Sequence, residues 1–162
     1  MTVTCVLHTP ETLDQAGRAV FAALLREQGK VRGNTADKVD RCQLLCIVNT
    51  DAAPIAIGAI KRKTVADFWL AGLPALEEAF DWELGYLYTQ PTHQGQGIAA
   101  TVVRELLTAY GPGNLMASTE ISANPAMVRL LENHRFSRVG RAWKSAIHGN
   151  DLGLFLRMND RP

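Results

Sequence analysis

Apolar and polar positions alternate, then repeat at helical spacing, in an order that predicts most of the chain's elements. Val3 to His8 reads as a strand. Thr12 with Gln15 suits a capping box, and Leu13, Ala16, Val20, Ala23 and Leu24 then recur at helical spacing until Gly29. Val31 to Lys38 predicts a loop with a short helix. Gln43 to Val48 and Ile55 to Lys61 predict two strands joined by the turn-rich Asn49-Thr50-Asp51-Ala52-Ala53-Pro54. Thr64 to Phe80 does not alternate, carries Phe68, Trp69, Leu73, Leu76 and Phe80, and predicts a helix ahead of a strand over Trp82–Thr89. Ala99, Val103, Leu106, Leu107 and Tyr110 form the apolar stripe of the next helix, which Gly111-Pro112-Gly113 ends. A strand over Met116–Ile121 follows, then a helix that starts at Asn124-Pro125, a side-chain cap followed by proline at the first helical position. Arg138 to Lys144 and Leu152 to Leu156 read as a hairpin around His148-Gly149-Asn150-Asp151.

The chemistry concentrates where the Trp82–Thr89 strand gives way to a short proline loop and then to Gln94-Gly95-Gln96-Gly97-Ile98-Ala99. Small residues just before a helix let backbone N–H groups converge, and the helix dipole adds a positive end. That combination suits a phosphate or pyrophosphate. A P-loop is excluded, because no Lys follows Gly97. Gly95, Gly97 and Ala100 spell a dinucleotide fingerprint, with Glu120 near its acidic position. That fingerprint needs its first glycine in the turn leaving the strand, and here Gln90 to Gln94 intervene, with Pro91 blocking the strand.

Gln94, Gly97 and Ala99, placed after a strand and a proline loop, resemble motif A of the GNAT superfamily, the acetyl-CoA-dependent N-acetyltransferases. A second resemblance follows in order: the strand Met116–Ile121, then Asn124, then a helix running to about Phe136. Together they cover roughly residues 40–157. The resemblance implies a single α/β domain over residues 1–162, with a mixed central sheet of about six or seven strands flanked by helices. It implies acetyl-CoA as cosubstrate, a primary amine as acceptor and no metal. Glu83 resembles the family's general base, and the Leu87 N–H its donor to the thioester carbonyl. Leu87, Tyr88 and Thr89 would pair through backbone with the CoA arm, Asn124 would contact that arm, and Gln94, Gly95, Gln96, Gly97, Ile98 and Ala99 would hold the pyrophosphate. Each residue also has a plainer role. Glu83 suits a structural ion pair, Asn124 is a good helix cap without any ligand, and glycines are ordinary in loops.

Two positions depart from the family pattern. Leu131 stands where many relatives carry a Tyr that protonates the departing thiolate, and Arg135 replaces the usual Gly before Phe136. His134, Tyr86, Tyr88 and Ser122 are the other groups in the sequence that could give that proton. The departure keeps a non-catalytic acyl-CoA-binding domain in view.

Composition narrows the partners. A net charge of +1 over 162 residues argues against nucleic acid held on a broad basic face, and so against a toxin-like enzyme acting on aminoacyl-tRNA. Arg26, Lys30, Arg32 and Lys38 cluster among few acids and read as a solvated face. No apolar run reaches membrane-spanning length, and Met1 to Asp14 carries no secretory pattern. Cys42 and Cys46 would share a strand face roughly 13 Å apart, too far for a disulfide. With Cys5 they predict thiols of a reducing cytoplasm. A homodimer stays open.

Overall fold

The antiparallel pairing of β1 (Thr4–His8) with β2 (Cys42–Asn49), and of β2 with β3 (Pro54–Arg62), follows the alternating segments closely. The computed structural model describes residues 2–159. Its remaining strands are β4 (Trp82–Thr89), β5 (Leu115–Glu120), β6 (Ser137–Lys144) and β7 (Asp151–Arg157), and all seven form one sheet in the order β1-β2-β3-β4-β5-β7-β6. β4 and β5 pair in parallel, with Glu83 opposite Met116, while β5–β7 and β6–β7 are antiparallel. The sheet is therefore mixed and flanked by helices, an α/β fold as expected.

The chain forms two compact units. The first contains the segment up to Lys61 and Leu84–Gly111. In it α1 (Gln15–Gln28) buries Phe21, Leu24 and Leu25 against Leu45, Ile47, Ile57, Ala59 and Tyr86. Gly58 lies between Ile57 and Ala59 and so points to the opposite face of β3. A Cβ there would meet Val102 and Leu106 of α3 (Ile98–Tyr110) and, at 2.7 Å, Leu87 Cδ2. Glycine at position 58 is what lets α3 lie this close.

The second unit contains Arg62–Glu83 and the chain from Pro112 onward. Its core joins Phe68, Ala71 and Phe80 to Met116, Leu154 and Leu156. Phe68 and Ala71 come from or border the short α2 (Val65–Leu70), and a 3-10 turn over Pro74–Ala79 leads on to Phe80. α4 (Pro125–Asn133) contacts β5.

Three expectations change. The cap of α1 is Asp14, whose side chain accepts from Gly17 N–H at 2.7 Å, while Thr12 instead closes a local turn with Thr9. The buried face of α1 runs through Phe21, Leu24 and Leu25, leaving Ala16 and Ala23 exposed. An irregularity in β2 between Cys42 and Leu44 shifts Cys42 into the cluster with Leu45 and Ile47. Cys42 and Cys46 therefore do not share a face. Cys46 meets Cys5 across β1–β2 instead, Sγ to Sγ 2.7 Å.

Candidate functional site

In the first unit, β4 leaves the sheet at Thr89 and passes through a 3-10 turn over Pro91–His93. Gln94 turns its side chain back, Nε2 donating to Thr89 O at 3.0 Å, which closes the loop on itself. Gly95 and Gly97 both stand at φ 78°, and Gly97 is the N-cap of α3. A left-handed N-cap costs a non-glycine residue about 1–2 kcal/mol, which explains glycine here. A Cβ added at either position would meet nothing within 4 Å, so conformation rather than crowding demands glycine. No side chain caps α3 and its first turn holds no acid. The helix therefore presents N–H groups that have no intrahelical partner, with the positive dipole end, above an open face. Gln94, Gly95, Gln96 and Gly97 are exposed, while Ile98 turns its side chain into the core and Ala99 is half-buried.

Upstream on the same strand, Tyr86 sits at φ 55°. An aromatic residue in the left-handed region is a backbone outlier, and such outliers persist where surrounding structure enforces them. Here Phe21 packs edge-on to the Tyr86 ring at 6.2 Å and Lys61 Nζ lies 5.1 Å from its centroid. The kink falls immediately before Leu87, so the backbone at Leu87 does not simply continue a regular ladder. The C-terminal end of α1 grips the strand just past this kink. Gln28 Nε2 donates to Leu87 O at 2.8 Å, and Glu27 Oε1 accepts from Tyr88 OH and Gln90 Nε2, both at 3.3 Å.

In the second unit, Glu83 is buried, and its Oε1 accepts from Thr64 N–H at 2.9 Å and Thr64 Oγ1 at 2.7 Å. Thr64 is the N-cap of α2, so the carboxylate also anchors that helix start. Asn124 caps α4, its Oδ1 accepting from Met127 N–H at 3.3 Å. Leu131 is 1 % exposed and belongs to the core. His134 closes the end of α4 through Leu131 O, Tyr88 OH is engaged by Glu27, and Ser122 is exposed. Arg135 stands at φ 73°, the left-handed conformation that glycine supplies elsewhere.

With this geometry in view, comparison with known proteins is direct. The model of the Acetyltransferase (GNAT) family matches residues 16–136. The chain belongs to this family. Comparison with curated proteins gives no match. Among solved structures, this GNAT chain is similar to an acyl-CoA N-acyltransferase from Pseudomonas aeruginosa (13% identity, 96% of this chain and 99% of that one, TM-score 0.71). It is also similar to the ribosomal-protein-S18-alanine N-acetyltransferase of Escherichia coli (13% identity, 98% and 96%, TM-score 0.66). A third is yncA from Salmonella typhimurium, solved with its cofactor acetyl-CoA (14% identity, 100% and 96%, TM-score 0.64). At these identities the likeness is one of fold.

Sequence reasoning missed two groups of this GNAT fold. Glu27 and Gln28 look like ordinary polar residues at a helix end; only the return of β4 beside α1 gives them a role. Glu120 is buried, and its Oε1 meets His148 Nε2 at 3.0 Å and Asn150 Nδ2 at 3.4 Å. Thr119 and Ile121, which flank Glu120 in the sequence, gave no hint that a hairpin residue would cover it. Among the described residues no cluster of three or more His, Cys, Asp or Glu could hold a metal ion, and no helix is long and apolar enough to cross a membrane.

Proposed function

We propose that this GNAT protein transfers an acetyl group from acetyl-CoA to a primary amine. The observation that carries the proposal is the left-handed Tyr86 directly before Leu87, on the strand that feeds the Gly95/Gly97 loop. The uncapped start of α3 suits a dianion bound by backbone, so Gln94–Ala99 would hold the pyrophosphate. Acetyl-CoA supplies an activated thioester. The Leu87 N–H would be aimed at its carbonyl oxygen, and the backbone of Leu87, Tyr88 and Thr89 would hold its arm. Glu83 and Asn124 enter through the family pattern: Glu83 as base, reached through water because Thr64 engages its Oε1, and Asn124 as a contact to the arm. An amine held in place by the protein would then need only to lose a proton.

Binding of CoA by calorimetry tests the first half, and release of free thiol with an amine panel tests the second. No response at millimolar CoA would sink the reading. Leu131, packed in the core at the position of the family's Tyr, favours one alternative, a CoA-binding module without turnover. Tight CoA binding with no thiol released over the whole panel would select it.

A further inference from the structure

Gln28 is the last residue of α1, ahead of the left-handed Gly29 that ends the helix. Its carboxamide has two unlike ends. Leu87 O can only accept, so the amide orientation is settled: Nε2 faces Leu87, 2.8 Å away. Oε1 is then left buried and without a hydrogen-bond partner. A buried acceptor with no donor costs about 1–3 kcal/mol, and native proteins rarely keep one without a reason.

The place of this carboxamide supplies the reason. An extended residue presents its N–H and C=O on the same edge of the strand. A side chain bonded to Leu87 O therefore lies on the edge where the Leu87 N–H is offered. We propose that Gln28 is a positioning residue for acyl transfer, its Nε2 holding the Leu87 peptide while its Oε1 accepts an N–H from bound substrate. The inference rests on the acetyltransferase reading above. The left-handed Tyr86 turns the chain immediately before Leu87, and the Gln28 hydrogen bond fixes the Leu87 peptide after that turn. The substrate N–H has two sources in this chemistry, an amide of the CoA arm or the acceptor amine. Both need an acceptor, and Oε1 can only accept.

The test compares wild type with Gln28→Met, which keeps length without polar atoms, and Gln28→Lys, which restores a donor but no acceptor. Thiol release, the KM for amine, the Kd for CoA and the Leu87 amide ¹⁵N resonance are measured for each. Gln28→Met should lower turnover at least about 10-fold, part of the 10²–10³-fold that a lost donor to a developing oxyanion costs. The shift of the Leu87 resonance that acetyl-CoA induces should shrink in this variant. Gln28→Lys should recover turnover at saturating amine but not affinity. A raised KM for amine assigns Oε1 to the acceptor, and a raised Kd for CoA assigns it to the arm. Turnover and the Leu87 resonance unchanged in Gln28→Met would overturn the proposal. So would a Lys variant no better than Met in turnover, or one with wild-type affinity for both ligands. An inactive wild type that binds no CoA would instead remove the acetyltransferase reading, and this inference with it.

Discussion

Arg135 at φ 73° occupies a backbone conformation that glycine adopts freely. Left-handed geometry costs an ordinary residue about 1–2 kcal/mol, and glycine gives back about 0.5–1 through the unfolded chain. Arg135→Gly should therefore raise stability by about 0.5–1 kcal/mol, read as a higher urea midpoint at unchanged slope. A lower midpoint would mean that the arginine side chain does more than its exposed position implies. Glu83 makes a second residue-scale case. Glu83→Gln keeps an oxygen for Thr64 N–H and Oγ1 while removing the base. If the carboxylate takes the proton, turnover should fall about 10²–10⁴-fold with the melting temperature nearly unchanged. A fall in melting temperature with turnover retained would make Glu83 an anchor for α2 alone. The cysteines separate by environment. Burial pushes the Cys42 thiol up from its ordinary 9.0 to about 12, against the pull of Lys61, and burial with the Cys5 contact pushes Cys46 up too. Only a thiolate attacks alkylating reagents, so at pH 8 iodoacetamide should label half-buried Cys5 and spare Cys42, checked by peptide mass mapping. The sign for stability follows. The Cys42 contribution is full below pH 9.0 and is lost as pH rises toward 12, because the unfolded thiol ionises first. The sequence carried the identity of Arg135 as a departure but not its strain, since φ belongs to the folded turn.

At the scale of elements, the glycine-rich start of α3 was readable because its signal is local: small residues, a proline loop, then an apolar helical stripe. Its phase was less readable. Ile98 and Val102 join Val103, Leu106 and Leu107 in the core, where Ala99 and Tyr110 were expected. The start of α1 shows the same limit. Thr12 and Asp14 both suit an N-cap, and only the fold of the preceding turn decides between them. Gly97→Glu should abolish CoA binding in calorimetry, since it strains the left-handed cap and places a carboxylate beside a dianion. Normal binding by that variant would move the phosphates elsewhere. Gly58→Ala tests the packing of α3 on β3. Its Cβ would meet Leu87 Cδ2 at 2.7 Å as well as Val102, so overpacking should cost about 1–3 kcal/mol in stability. Leu131→Tyr meets a similar barrier. The side chain is in the core, so a hydroxyl there disturbs packing before it can serve as an acid.

At the scale of the molecule, the mixed sheet of about six or seven strands came from the family resemblance rather than from periodicity, and the order of its strands came only from the structure. Alternation identifies a strand, but pairing joins residues far apart in the chain. The Gln28–Leu87 hydrogen bond shows why part of the proposed site stayed hidden: its partners are 59 residues apart, and nothing in either local sequence names the other. The acceptor is hidden for a further reason, because loops choose it and loops vary among proteins that share a fold. The central claim is amine acetylation by this chain. Thiol release from acetyl-CoA, followed with a panel of primary amines and peptides and with Gly97→Glu alongside, tests it most directly. The account predicts amine-dependent release by the wild-type protein, an acetylated product of matching mass, and neither from Gly97→Glu. Release that ignores the amine, or equal release by Gly97→Glu, would contradict it.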